Sequence, residues 1–503
     1  MSSVRIVGLV FTVASVVAAG ACGGDDFTET GAAGPGGASS SATTGTGTGA
    51  SSGGGGGSCE NGLTACGSDG CVDTDSSVDH CGGCDKPCAG MPNADPQCAG
   101  GKCVLGPCTT GFADCDRQPD NGCEENLIDN IEHCGACATV CGIECKGMSC
   151  NDVAAVSAGN SFACALRQDG SVWCWGLDYW GNLGSGVGGP EQLAPVMVSL
   201  PKPAIQVSAN PGDARFHACA VLDDGTVWCW GANGNGQLGI NSTSDSPPAQ
   251  VLNLTDAVAV ATGGGHTCAI TSSKQLYCWG SNGFGELGLG NQMEQHTPQA
   301  VVGGIDEIAI GMDHGCARGA LSVSCWGQSN SGQVGLGGTS NVLSPVKLQQ
   351  GMVDSASLAA SYRDSCSVSP TGELRCWGEN SNYQMANGTM TDAVYPTVIA
   401  AATDVAQAAV GAGHMGYVTT TGLLYLWGNN GAGQVGDGTA NPVGAPKDIS
   451  TPNALPPMKS LSLGGGFSCA LGTNGKLYCW GAGALVGDGT GANKSTPVEV
   501  KWN

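Results

Sequence analysis

Val258-Ala-Val-Ala-Thr-Gly-Gly-Gly-His266-Thr-Cys268-Ala-Ile-Thr-Ser-Ser-Lys-Gln275-Leu-Tyr-Cys278-Trp279-Gly280 is the stretch that decides the fold. Short alternating apolar runs broken by Gly and Ser clusters read as half-buried strands and not as helix. The stretch ends on Trp-Gly, and that pair recurs at Trp175-Gly176, Trp230-Gly231, Trp326-Gly327, Trp377-Gly378, Trp427-Gly428 and Trp480-Gly481. Successive pairs are 55, 49, 47, 51, 50 and 53 residues apart. A period in this range means stacked supersecondary units, either a solenoid or a closed ring.

The parts of one unit follow in a fixed order. Asp169-Gly170 and Asp224-Gly225 separate two cysteine-bearing runs and signal a tight hairpin turn. Each Trp-Gly is followed by an Asn/Gly-rich loop, such as Asn233-Gly-Asn-Gly-Gln-Leu-Gly239 or Asn282-Gly-Phe-Gly-Glu-Leu-Gly288. A Pro-led run then closes the unit, as in Pro298-Gln-Ala-Val-Val or Pro345-Val-Lys-Leu. Four short strands and no room for a helix, seven times over, predict an all-β seven-bladed propeller across 153–503.

Gly265-His266, Trp228-Cys-Trp230-Gly231 and Gly236-Gln-Leu-Gly239 resemble the repeat of the regulator-of-chromosome-condensation family. The resemblance covers about 70% of the chain and implies a closed ring, since that family closes at seven units. It implies little about activity, because one scaffold hosts many functions.

Twelve of the 29 cysteines fall in six in-register pairs inside the repeats. Cys164 pairs with Cys174, Cys219 with Cys229, Cys268 with Cys278, Cys316 with Cys325, Cys366 with Cys376, and Cys469 with Cys479. Each pair flanks the hairpin turn. The sixth unit has Gly416 and Leu426 at both positions, so the pair is lost together, as bonded partners are. Six disulfides are the expectation, each contributing about 2–3 kcal/mol in the chain-entropy account.

Sixteen more cysteines lie in 59–150 as two eight-cysteine repeats, 59–103 and 108–150, sharing the core His-Cys-Gly-x-Cys-x-x-x-Cys at Cys81 and Cys134. Units this small need staples in place of a core. They resemble cysteine-rich units found in tandem on surface proteins of some bacteria, especially myxobacteria. The even count favours structural bridges over zinc or a redox role for Cys81 with Cys84 and for Cys134 with Cys137, although His80 and His133 stand beside them. Asp114-Cys-Asp116 with Asp120 and Glu124 resembles part of a calcium loop but departs at Gln118 and Pro119, so no metal is assigned.

Disulfides at this density imply an oxidising compartment. Arg5 precedes an apolar run, Ile6 to Ala19, of signal-peptide length, and Ala19-Gly20-Ala21-Cys22 resembles a bacterial lipobox with Ala19 where Leu is usual. The expectation is a signal peptide over 1–21, lipidation of Cys22, and a Gly/Ser/Thr tether over 22–58 with a root-mean-square span of about 30–35 Å. Ordinary cleavage and secretion as a soluble protein is the alternative.

The formal charge of −24, from 18 basic and 42 acidic residues, opposes binding to nucleic acid. Export likewise removes the chain from any intracellular GTPase, so nucleotide exchange is not carried over from the family. His217, His266, His314 and His414 share one slot that Phe162, Asp364 and Phe467 fill elsewhere, which marks packing or hydrogen bonding and not catalysis. Gly184-Ser-Gly-Val-Gly lacks a nucleophile elbow's setting. The five propeller arginines, 167, 215, 318, 363 and 375, all read as lying around hairpins, so no sialidase-like cluster is expected.

Nothing calls for a cofactor or for catalytic residues. The expected role is a protein- or glycan-binding platform, with Tyr179 and Trp180 as anchors where other units carry Asn and Gly. Enzyme inhibition is one alternative, since this repeat family includes a secreted β-lactamase inhibitor. A polysaccharide-directed hydrolase or lyase is the other.

Overall fold

The computed structural model describes residues 59 and 62–502, apart from 119–120, 187, 213–214, 320–321 and 349–354. Among them the regular structure is strand, with short 3-10 turns at Gly67–Asp69 and Gly483–Leu485. Described residues from Asn126 onward form one compact unit and the described residues up to Glu125 another; the division falls inside the second cysteine repeat.

Seven four-stranded antiparallel sheets make up the propeller, each from one unbroken stretch of chain. Blade 1 consists of Val153–Ala158, Phe162–Arg167, Val172–Gly176 and Gln192–Met197. Blade 7 ends the ring with Met458–Leu463, Phe467–Gly472, Leu477–Gly481 and Lys494–Glu499. First strands converge on a narrow axial channel, which they line with small side chains such as Ser157, Ser208, Ala261 and Ala359.

Alternation predicts half-buried strands, and the second strands depart from this. Every residue of Phe162–Arg167, His217–Leu222 and His266–Thr271 is buried, because each blade is sandwiched between two neighbours and has no solvent face there. The core therefore lies between blades. One cluster joins Ile270 and Leu276 of blade 3 to Ile308, Ile310 and Trp326 of blade 4.

The Trp-Gly tryptophans fasten those junctions. All seven are fully buried. Trp230 Nε1 donates to the Asn182 carbonyl of blade 1 at 2.9 Å, Trp279 to Gln237 at 2.9 Å, and so on round to Trp480 on Gln434 at 2.8 Å. Trp175 closes the circle on Leu485 of blade 7 at 2.9 Å. The following glycine is required by geometry: Gly280 has φ +104°, and a Cβ there would stand 2.7 Å from the His266 Cα.

The six expected cysteine pairs lie directly opposite one another on second and third strands. All six are disulfide-bonded: Cys164 to Cys174, Cys219 to Cys229, Cys268 to Cys278, Cys316 to Cys325, Cys366 to Cys376 and Cys469 to Cys479. Each spans a Cα–Cα distance of 4.1 Å. In blade 6 Gly416 faces Leu426, whose Cγ would lie 3.0 Å from any Cβ on Gly416. Leucine fills the volume that two sulfurs occupy elsewhere.

The cysteine repeats share one connectivity. Cys59–Cys71, Cys66–Cys84, Cys81–Cys98 and Cys88–Cys103 are matched by Cys108–Cys123, Cys134–Cys145 and Cys141–Cys150. Cys81 and Cys84 thus bond to different partners and form no redox pair. His80 and His133 both serve as local braces, since each Nδ1 accepts a backbone N–H, from Asp85 and Ala138, at 3.0 Å.

Candidate functional site

Strand direction divides the propeller's ends into two rims. One carries the turns between second and third strands. The other carries the links between first and second strands together with the Trp-Gly loops. On the hairpin rim, residues 126–150 pack against blades 7 and 1. Lys146 Nζ lies 2.8 Å from Asp169, Arg167 meets Glu144 at 2.6 Å, and Gly142 backs onto Asn474. Arg167 also sits over the rings of Trp173 and Trp502. Part of this rim is covered.

On the loop rim the four slot histidines are wholly buried. Desolvation holds each imidazole down to about 3, so all are neutral. His217 Nε2 meets Thr267 Oγ1 of the next blade at 2.9 Å, His314 meets Ser365 at 2.8 Å and His414 meets Ser468 at 2.9 Å. Each hydroxyl donates onward to the carbonyl that also accepts the tryptophan: Gln237, Gln333 and Gln434. Since that proton is committed, the histidine must donate from Nε2.

The slot's other occupants follow the same logic. Phe162 and Phe467 face blades that offer Ala218 and Ala163 in place of a hydroxyl. His266 faces Gly315, and both its ring nitrogens lack a partner. Burial, with Glu379 and Asp392 adding to it, pushes the Asp364 carboxyl well above the usual carboxylate range. These groups build the junctions; none reaches solvent.

The Trp-Gly loops are held from inside. Asn233 is buried, donates Nδ2 to the Ser242 and Ser244 carbonyls and accepts from Leu238 N. Asn282, Asn380 and Asn430 repeat that inward pattern, and Asp178 accepts from Leu183 N. The tips and the second halves of the loops face out, and the largest tip belongs to blade 1: Tyr179 is 62% and Trp180 41% exposed. Phe284 takes the corresponding place in blade 3. Tyr179 stacks on Phe216 at 6.2 Å, and Phe216 rests on Phe162 at 6.2 Å.

The arginines divide where the sequence predicts a single location. Arg167, Arg318 and Arg375 stand by the second-to-third-strand turns, whereas Arg215 and Arg363 lie on the opposite rim, in links between first and second strands. Link and hairpin look alike in sequence because both follow a short strand; direction separates them.

Asp114, Asp116 and Glu124 converge, but Glu124 Oε1 accepts from Cys115 N and Asp116 N, and Asp116 accepts from Gln118 N and Asn121 Nδ2. All four bonds lie within residues 115–124 and close the acidic turn on itself. Asp120 and Cys22 lie outside the described residues. Sequence reasoning missed Phe216 and placed Arg215 by a hairpin; the length of 210–216 against the three glycines 263–265 was the available signal.

Seven contiguous blades, clamped by tryptophan to carbonyl at every junction, define a closed repeat propeller. The chain belongs to the RCC1-like domain family, whose model matches residues 141–417 and 216–503. It is 36% identical over 117 residues to the RCC1 domain-containing protein RUG3, mitochondrial, of Arabidopsis thaliana, spanning 22% of this chain and 25% of that one. It is 31% identical over 102 residues to mouse HERC4, a probable E3 ubiquitin-protein ligase, spanning 20% of this chain and 9% of that one. The chain thus spans a quarter or less of these curated relatives. Among solved structures, human WBSCR16 superposes with a TM-score of 0.60 at 22% identity, over 66% of this chain and 94% of that one. Prp20p of Saccharomyces cerevisiae does so with a TM-score of 0.58 at 22% identity, over 70% and 87%. Both likenesses concern the fold.

Proposed function

We propose that this is an exported protein, anchored by lipid at Cys22, whose loop rim is a binding platform without catalytic activity. The rim itself carries the reading: its loops are fixed by buried asparagines, and its two largest outward side chains are aromatic. A surface ordered beforehand loses little conformational entropy on association. Prp20p, of the same fold, has described binding properties toward Gsp1p and histones, which supports a propeller serving as a protein-binding surface. Export is supported by the apolar run Ile6 to Ala19 and by disulfides throughout 59–479. Among the described residues no helix is long and apolar enough to cross a membrane.

Two experiments test the reading. Cys22→Ser should release the protein from membranes and abolish palmitate incorporation; continued membrane association without labelling defeats the anchor. Immobilised full chain should retain a partner that the Tyr179→Ala/Trp180→Ala variant holds at least about tenfold more weakly at unchanged thermal stability. Equal retention by both would move the site elsewhere, and turnover of a captured molecule would overturn the non-enzyme reading.

A further inference from the structure

Residues shared by all seven blades are framework, so recognition of one partner needs what a single blade has alone. The link between first and second strands of blade 2 runs Asn210-Pro-Gly-Asp-Ala-Arg215-Phe216, where blade 3 has only Gly263-Gly264-Gly265. Both ends of this longer link are fixed. Asn210, wholly buried, donates Nδ2 to the Gly263 carbonyl at 2.6 Å and the Gly264 carbonyl at 2.9 Å. Phe216 is buried between the rings of Tyr179 and Phe162.

Between these anchors the link presents Arg215. Its Nη1 donates to Asn235 Oδ1, and it lies so close over Gly234 that a Cβ there would stand 2.6 Å from Nη1. The guanidinium borders a pocket lined by Gly264, Gly265, Asn235, Ser281, Met312 and Asp313.

Charge pairing separates this arginine from those across the propeller. Arg167, Arg318 and Arg375 each hold a carboxylate at 2.6–2.8 Å. Arg215 has no carboxylate within ion-pair reach among the described residues, in a chain with 42 acids to choose from. Its planar fork is preorganised for bidentate contact with a carboxylate and meets none among the described residues.

We propose that the Arg215 pocket receives the carboxylate of one Asp or Glu on a loop of a partner protein, with a neighbouring apolar side chain resting on Tyr179 and Trp180. The inference rests on the platform reading and names the partner's chemistry. Arg215 supplies the attraction while Asp313 in the lining opposes added negative charge, so the pocket suits a single carboxylate and not a polyanion, which would bring many more charges against a net −24. The longer link thus serves two purposes at once: Phe216 backs the aromatic surface while Arg215 supplies the charge.

Panning a random-peptide phage library on the full chain tests this directly. Selected peptides should carry an acidic residue beside an apolar one, and Arg215→Ala should weaken them by about tenfold or more. Arg215→Lys should retain only part of the affinity. Changing the peptide's acid to its amide should cost the same as Arg215→Ala, and nothing further on that variant. Lys202→Ala, on the hairpin rim where it pairs with Asp224 at 2.9 Å, should leave the affinity unchanged.

Peptides sensitive to Tyr179→Ala but indifferent to Arg215→Ala would sink the pocket and leave the platform standing. Indifference to both would sink the platform too. A library that yields no binder overturns the protein loop as occupant, as would glucuronate-bearing oligosaccharides binding through Arg215 where peptides fail.

Discussion

Cys268 and Cys141 are both buried half-cystines, yet they support their surroundings in opposite ways. Around Cys268 lies a core of Ile270, Leu276, Leu287, Ile308 and Trp326 drawn from two blades. Around Cys141 the hydrophobic cluster consists of Cys134, Cys145 and Cys150, its own kind alone. In the propeller the disulfide is added to a core that already exists, and blade 6 does without it by placing Leu426 opposite Gly416. In residues 126–150 the sulfurs are the core. Equal chemistry thus has unequal consequences, decided by how much apolar surface the neighbourhood can bury without it.

The largest test of this contrast removes bridges from each region. Cys134→Ser with Cys145→Ser should abolish amide-exchange protection across 134–150, whereas Cys268→Gly with Cys278→Leu, copying blade 6, should leave protection in blade 3 and cost no more than about 2–3 kcal/mol. Retained protection in 134–150 would show that sulfur is not its core.

A smaller effect probes what the propeller uses in place of disulfides. Trp279→Phe keeps most of the buried ring but removes the bond to Gln237, and should destabilise by about 1–3 kcal/mol in chemical denaturation. Trp427→Phe, at the disulfide-free blade, should cost at least as much. A negligible loss at both would reduce the indole N–H to a bystander.

The smallest effect concerns acid. Each slot histidine is held down to about 3 when folded, against an ordinary 6.5, so the unfolded chain binds more protons between those values. Their contribution is complete above about pH 6.5 and is lost progressively as pH falls toward 3. His266→Phe removes one such group without breaking a hydrogen bond, and should raise the melting temperature at pH 5 more than at pH 8. His314→Phe leaves Ser365 without its donor and should cost about 1 kcal/mol at pH 8. Identical responses from the two would remove the distinction drawn between a satisfied and an orphaned ring.

The repeat was legible because tryptophan, glycine and cysteine each leave a mark when used blade after blade. Their spacing discloses the blades, the opposed cysteines and the shared histidine slot. What accepts the indole proton was not legible, because a backbone carbonyl has no residue identity: Asn182, Glu286 and Leu485 serve alike. The inward turn of the loop asparagines was not legible either, because it depends on carbonyls nine and eleven residues further along. Arg215 was misplaced for a related reason, since strand direction belongs to the assembled sheet and not to the link. Of the candidate site, Tyr179 and Trp180 were found as exceptions to a pattern. Phe216 behind them was not, because an exception of length is harder to notice than one of composition.

The indole of Trp175 reaches Leu485 in the same manner as Trp230 reaches Asn182, even though blade 7's loop is two residues shorter. The ring therefore has no privileged seam, and no strand is borrowed to shut it. A chain opened at the 4-to-1 link between Val251 and Ala257, with 502 joined back to 153 by a short spacer, would contain the same seven sheets in the same cyclic order. Its ends would simply emerge beneath another junction. The order of the blades is what must be kept, since each slot residue is matched to the blade that follows it, while the place where the chain begins is free.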